Sequence, residues 1–326
     1  MVFIFSNNFV NFILRCIIGV YLYIFFLWGG NVVIVITGPT ATGKTDLGIF
    51  LAKKLNGEII NCDSTQIYKG MDIATNKVKD TEGVVHHLFD FLDIDKDYSV
   101  YDYQKDARRC IADILSRGKV PIFVGGTGLY IKAALYDYEF NNDENNQYEG
   151  ISNEKLYKKL LKVDPDTSIH LNNRVRVIRA LNYYKSCGKP YSLKEKKDKL
   201  LYDTLFIGLT TDRDILYDKI NKRVDKMIEE GLMDEAKSLY DSNVRTKAVM
   251  TPIGYKELFE YFSFNKSLED CIDLIKKRSR HYAKRQYTWF NHQMDLKWFD
   301  VNYDNFLETE NNVLKYILSF SNLGKK

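Results

Sequence analysis

The stretch VVIVITGPTATGKTDLGIFLAKKL, residues 32–55, decides the fold. Val32 to Thr37 reads as a strand that is apolar almost throughout, the pattern of a strand buried on both faces of a parallel sheet. A glycine-framed loop follows, and helical spacing runs from Asp46 to Leu55. This is G-x-x-x-x-G-K-[ST] between a strand and a helix, where backbone N–H groups and a helix N-terminus face an anion. Gly38 and Gly43 let the main chain wrap that anion closely. The loop residues Gly38, Pro39, Thr40, Ala41, Thr42 and Gly43 are therefore candidates to bind phosphate groups. Lys44 adds a positive charge, and Thr45 offers a hydroxyl to Mg²⁺. The pattern implies phosphates and leaves open whose they are.

The 326 residues suit one large domain or two smaller ones, and 45% hydrophobic against 28% charged residues is a globular composition. A net charge of +4 does not by itself announce nucleic acid, but the basic residues cluster late in the chain. Cys16, Cys62, Cys110, Cys187 and Cys271 are far apart with no C-x-x-C pair. That spacing opposes a disulfide framework or structural zinc and predicts a reducing, cytoplasmic setting.

Beyond the first helix, Glu58 to Cys62 reads as a second parallel strand ending at Asp63, Asp102 to Arg117 as a helix, and Val120 to Val124 as a third strand. Strands alternating with helices predict an α/β fold of the P-loop NTPase type, with a doubly wound parallel sheet. The polar run EFNNDENNQYEGISNE, residues 139–154, breaks this rhythm, and residues 154–199 look helical. A strand returns at Thr204 to Asp212, and everything from Arg213 reads as helical. The expected organisation is residues 31–137 as the first part of the core, 138–203 as a helical insertion, and 204–326 as the second part with a basic helical C-terminal region.

Residues 1–30 pose a separate question. Ile17 to Trp28 is an uncharged apolar block of about twelve residues, short of the roughly twenty a membrane span needs. A cleaved signal peptide fits poorly, because Arg15 is the only basic residue and Leu27-Trp28 is a poor cleavage context. A membrane anchor stays open. So does an untranslated leader: codons for Trp28-Gly29-Gly30-Asn31 resemble a ribosome-binding site, with Val32 or Val33 as a GTG start. No stable membrane association is expected unless the leader is translated.

In open α/β sheets, ligands sit beyond the carboxyl ends of the strands, so Asp63 shares a rim with the phosphate loop. The strand at Val120–Val124 ends in Gly125-Gly126-Thr127, without the carboxylate that supports Mg²⁺ in nucleotide hydrolysis. Asp63 suits a helix cap, but its place on the rim favours the role of proton acceptor beside the phosphates. Thr127 shares that rim, and the residues alone leave open whether its hydroxyl serves the turn or the pocket. His86-His87 has no spaced partner for a metal and reads as structural. In KKRSRHYAKRQYTWF, residues 276–290, basic residues interleave with aromatics, a composition that suits RNA or a solvated helix face. Arg174, Arg176 and Arg179 form a second basic cluster.

The motifs GPTATGKT, DSTQIYKGMD, HHLFD, PIFVGGTGLY, DPDTSIH, RVIRAL, KRVDKM, IGYKEL and YAKRQYTWF occur in that order from Val32 to Phe290. In that order they resemble the tRNA dimethylallyltransferases. A P-loop alone is weakly specific; DSTQIY, GGTGLY and AKRQYTWF together are highly specific. Departures are Ala74 and Val78 in ATNKV, HLNN at residues 170–173, and Ser279 before Arg280. No zinc-finger pattern follows, as in the bacterial form. The resemblance implies transfer of a dimethylallyl group from dimethylallyl diphosphate to N6 of adenosine-37 next to the anticodon. It implies Mg²⁺, the tRNA anticodon stem-loop as partner, and a monomer. Residue by residue it implies Asp63, Thr127 and Arg223 as catalytic, with residues 38–45 on the diphosphate. tRNA would meet Asp63, Ser64, Thr65, Gln66, Thr127, Arg176, Arg179, Arg278, Arg280, Lys284 and Arg285. An adenylate isopentenyltransferase would need neither two basic clusters nor the large helical insertion, and a small-molecule kinase would predict ATP turnover. A non-enzymatic RNA-binding or membrane-tethered module is opposed by the intact Lys44, Thr45 and Asp63.

Overall fold

A computed structural model describes residues 32–138, 146–193 and 199–320. The apolar leader and Cys16 lie outside the described residues, as does the start of the acidic run at Asp143. Six strands make one sheet in the order β3-β2-β4-β1-β5-β6. They are β1 (Val32–Thr37), β2 (Gly57–Asn61), β3 (His86–His87), β4 (Val120–Val124), β5 (Asp203–Thr210) and β6 (Lys297–Asp300). Every pairing is parallel. The central β1 sets Ile34 against Ile122 on one side and Leu205 on the other.

Helix α1 (Lys44–Leu55) starts two residues before the expected Asp46, because Gly43 at φ 78° turns the chain directly into it. Its Leu47, Leu51 and Leu55 join Ile34, Ile36, Ile59, Ile122 and Ile207 in the main core. Each such burial contributes about 1.5–3 kcal/mol. Helix α2 (Val100–Ser116) opens on a capping box in which Ser99 and Asp102 satisfy each other's backbone N–H groups. Helix α3 (Gly128–Leu135) follows β4.

Two strands went unread in the sequence. His86-His87, to which no element was assigned, is an edge strand of the sheet, paired through Ile59↔His86 and Ile60↔His87. The C-terminal part, expected to be wholly helical, contains β6 beside β5. Both are too short, at two and four residues, to show a period in sequence. The structural reading of the histidines survives: His87 Nε2 lies 2.7 Å from Glu58 Oε2.

Residues Tyr136–Lys199 form a compact unit of their own. In it α4 (Asn153–Val163) and α5 (Arg174–Cys187) pack through Leu156, Leu160, Val177, Ile178 and Leu181. Arg174 donates to the carbonyls of Ile151 at 2.6 Å and Tyr148 at 2.7 Å, while Arg176 is exposed. In the other unit, α6 (Arg213–Glu229), α7 (Leu232–Asp241), α8 (Lys247–Met250), α9 (Tyr255–Phe262) and α10 (Leu268–Gln293) precede β6, and α11 (Phe306–Phe320) follows it. A second core lies here, joining Ile67 and Met71 to Val224, Leu232, Tyr255, Leu258 and Ile275. Among the described residues no helix is long and apolar enough to cross a membrane.

Glu58 is a buried carboxylate in β2, held by Arg117 Nη2 at 2.7 Å, Lys119 Nζ at 2.6 Å and His87. These bonds, that of Arg117 foremost, hold its pKa well below the ordinary 4.5. A carboxyl with a depressed folded pKa adds stability above its ordinary pKa and loses it as pH falls below. Glu58→Gln keeps the volume and removes the charge. Because Arg117 and Lys119 are partly solvated, the expected loss at neutral pH is about 1–3 kcal/mol in urea unfolding. The gap from wild type should narrow below pH 4.5, and a gap constant with pH would refute this account.

Candidate active site

The phosphate loop leaves β1 at Gly38, whose φ of 131° and whose closeness to β5 both exclude a side chain. A Cβ there would lie 2.4 Å from the Leu209 carbonyl oxygen. Within the loop, the buried Thr42 hydroxyl donates to the Pro39 carbonyl at 2.9 Å. From outside it, the Tyr303 hydroxyl donates to the Ala41 carbonyl at 2.9 Å. Lys44 Nζ donates to the Pro39 carbonyl at 2.5 Å, arched back over its own loop. Burial first, and then the positive charge of Arg223, lower the Lys44 pKa to about 8, against a smaller opposing pull from Asp63. Arg223, on α6, donates to Thr40 Oγ1 at 2.7 Å. Burial lowers its pKa to about 10, so it stays charged at neutral pH.

Asp63 lies just beyond β2, where the side chain of Asn61 brackets it: Asn61 Oδ1 accepts from Asp63 N–H at 3.0 Å and Nδ2 donates to the Asp63 carbonyl at 3.1 Å. Its own carboxylate is divided. Oδ1 accepts from Thr65 N–H at 2.9 Å and from Thr65 Oγ1 at 2.7 Å, so the turn-capping role is real. Oδ2 has no partner among the described residues. One oxygen holds the turn and the other stays available.

Thr127 is brought to the same place. Its N–H donates to the Cys62 carbonyl at 2.9 Å, and its Oγ1 accepts from Ser64 N–H at 3.1 Å. Its hydroxyl thus braces the Asp63 turn. Tyr282 lies beside Thr127 and Gln286, and its phenol pKa is raised by burial and by the Asp63 charge. Thr40, Asp63, Thr65, Arg223, Tyr282 and Arg285 all line one cavity of about 510 Å³. Ser64 lines it too, while Gln66 donates to the Thr75 and Asn76 carbonyls at 2.9 and 3.1 Å and braces that loop.

The basic residues of α10 divide. Arg278 lines the cavity but is ion-paired with the wholly buried Glu257 carboxylate. Arg280 donates to Asn221 Oδ1 at 2.5 Å and lies over the Tyr217 ring. Lys284 and Arg285 are exposed. Arg176 and Arg179 belong to the separate unit of residues 136–199.

Sequence reasoning missed Gln286. Its Oε1 accepts from Thr40 N–H at 2.9 Å and its Nε2 donates to the Gly126 carbonyl at 3.2 Å. It therefore ties the phosphate loop to the turn that carries Thr127. A Cβ at Gly126 would lie 2.0 Å from Gln286 Nε2, so a side chain there would push this amide out of its place. The only sequence signal was a glutamine on the buried side of a basic helix. Gln286→Met fills the same space without either bond and strands two polar groups. The expected cost is about 1–3 kcal/mol in denaturant unfolding; wild-type stability would show that the clamp holds nothing.

A metal ligand set can be judged from the donors present. Among the described residues no three His, Cys, Asp or Glu side chains gather where an ion could sit. Thr45 is the second residue of α1, directly after the anion loop. Its one hydroxyl could hold a Mg²⁺ ion only as a single ligand, the rest coming from substrate oxygens and water.

The model of the IPP transferase family matches residues 66–293. The tRNA dimethylallyltransferase of Anoxybacillus flavithermus is 48% identical over 300 residues, covering 88% of this chain and 96% of the relative. That of Bacillus subtilis is 49% identical over 286 residues, covering 82% and 90%. Among solved structures, the tRNA isopentenylpyrophosphate transferase of Staphylococcus epidermidis aligns with a TM-score of 0.67 at 41% identity, over 88% of this chain and 98% of that one. A eukaryotic dimethylallyltransferase acting on tRNA aligns with a TM-score of 0.80 at 34% identity, over 91% and 80%. With a family match over most of its length and relatives near half identical across nearly their whole length, this chain belongs to the IPP transferase family.

Proposed function

We propose that this chain transfers the dimethylallyl group of dimethylallyl diphosphate to N6 of the adenosine next to the tRNA anticodon, releasing diphosphate. The observation that carries the proposal is that Thr40 of the anion loop, Arg223 and Asp63, the last with an unpartnered carboxylate oxygen, line one cavity, with the Lys44 ammonium within reach of both charges. Relatives named tRNA dimethylallyltransferase, and a solved relative described as acting on tRNA, support the choice of substrate.

The N6 lone pair forms a bond to the allylic carbon as the carbon–oxygen bond to diphosphate breaks, and its electron pair leaves on the diphosphate. Stabilising that departing charge is the larger task. The loop amides of residues 38–45, the Lys44 ammonium and the Arg223 guanidinium do it, the last aimed by its bond to Thr40. Mg²⁺ bound beside Thr45 would neutralise further charge on the diphosphate. The amine must lose a proton as it bonds, and Asp63 Oδ2 accepts it. Thr127 acts through the turn it braces, and Ser64 and Thr65 line the acceptor side. An exocyclic amine has to leave its stack to react, so the target base is flipped into the cavity. Arg285, at the cavity, and Lys284, exposed nearby on α10, face the RNA, with Arg280 and the helical unit around Arg176 and Arg179 adding contacts. Arg278 contributes through its pair with Glu257.

Asp63→Asn separates the two oxygens. The amide oxygen can still accept from Thr65, so the turn survives, but the group no longer takes a proton. Single-turnover prenyl transfer with both substrates saturating should fall about 10²- to 10⁴-fold. A rate within a few-fold of wild type would leave Asp63 as a cap alone.

The Lys44 ammonium carries a second test. With its pKa lowered to about 8, Lys44 is charged below that pH and increasingly neutral above it, and a bound diphosphate restores the proton. Affinity for inorganic diphosphate should therefore decline from about pH 7 to about pH 9. Near the upper end, binding should take up a proton, read by calorimetry in buffers of different ionisation enthalpy. Lys44→Met should abolish that uptake; uptake unchanged in the variant would assign it to another group.

A further inference from the structure

Lys256 and Arg278 line the reaction cavity, and the same two side chains line a second cavity of about 580 Å³. Arg245, Lys266, Tyr240 and Phe259 also line it. Arg245 is held flat: its guanidinium carbon lies 4.2 Å from the Phe259 ring centroid and 4.9 Å from that of Tyr240. Its Nη1 also donates to the Val244 carbonyl at 3.0 Å. A guanidinium fixed by two rings gives up little freedom when it meets an anion.

The charge around it is not balanced. Glu257 and Glu260 also line this cavity. Glu257 is taken by Arg278 and by Gly254 N–H at 2.7 Å, and Glu260 accepts from Asn265 Nδ2 at 3.2 Å. Among the described residues Arg245, Lys256 and Lys266 have no carboxylate partner. Three cations thus line a groove that shares a wall with the reaction cavity.

We propose that this groove is a docking site for phosphates of the RNA substrate, holding its sugar-phosphate strand outside the reacting loop. The inference rests on the RNA reading made under Proposed function. A small substrate confined to the reaction cavity would have no use for a second cationic groove sharing its wall; a polyanion passing through one cavity meets the other. The Tyr240 and Phe259 faces are covered by Arg245, so they are not offered to bases. The contact is therefore to backbone and independent of sequence.

The test measures binding of unmodified tRNA to the full chain across a range of salt. The variants are Lys266→Gln, an exposed single change, and the double change Arg245→Gln with Lys266→Gln. Each lost phosphate contact should lower the log–log salt slope by about 0.7–0.9. The double variant should bind about tenfold more weakly near 0.1 M salt, equally for tRNAs of different sequence. Arg245→Lys with Lys266→Arg should keep the wild-type slope. Unchanged slopes in both Gln variants would overturn the proposal. So would a charge-keeping variant as weak as the neutral one, or variants that lose binding of polyglutamate while holding tRNA normally, which would mark the groove as a site for an acidic protein. Prenyl transfer to tRNA by the wild type is measured separately. Its failure would sink the reaction proposed above and leave the slope comparison to decide the groove on its own.

Discussion

Everything at the candidate site depends on three strand ends lying level. Parallel pairing sets Ile36 beside Val124, and Val124 beside Asn61, so β1, β4 and β2 finish at one edge of the sheet. The chain must then turn three times in one small region. The three turns are the phosphate loop, the Gly125–Gly126–Thr127 turn and the Asp63 turn. Antiparallel strands would have sent these turns to opposite ends. The gathering of donor-side and acceptor-side groups follows from register before any side chain is chosen.

Register alone leaves the turns loose, and three side-chain bridges fix them. Gln286 joins the phosphate loop to Gly126, Thr127 joins its own turn to Ser64, and Asn61 brackets Asp63. Two of the three work from loops or strand ends; the third reaches in from α10, 246 residues along the chain from Thr40. This makes α10 part of the site's frame as well as a basic surface. Its buried side, Ala283, Gln286 and Phe290, holds the frame, while Lys284 and Arg285 are exposed.

That division explains what could be read in the sequence. Strand β1, its loop and the start of α1 were legible because the chemistry and the periodicity lie within two dozen consecutive residues. Asp63 and Thr127 were legible because each follows a strand whose end could be counted. Strands β3 and β6 were not, since two or four residues carry no alternation to detect. Gln286 was not, because a glutamine declares nothing until the two loops it joins are folded against it. Arg278 read as one more cation on a basic helix. Its buried partner Glu257 lies 21 residues away on α9. Sequence proximity exposed the motifs, and tertiary contact shows which side chains are tied to one another.

The charges of the cavity follow from the same compactness. Lys44 and Arg223 stand close enough to repel, and Asp63 is the nearby carboxylate that acts on both. The site thus gathers two desolvated cations beside one carboxylate, and burial is the first cause of the lowered pKa of both. In the proposed reaction a diphosphate would supply negative charge to these cations. Its departure with the electrons of the broken bond would deepen that charge at the moment of reaction, when the cations can use it most. The unpartnered oxygen of Asp63 is held near those cations by the bonds to its other oxygen. Asp63 and Arg223 line the same cavity, so in the proposed reaction the side that takes the proton and the side that holds the leaving group share one small space.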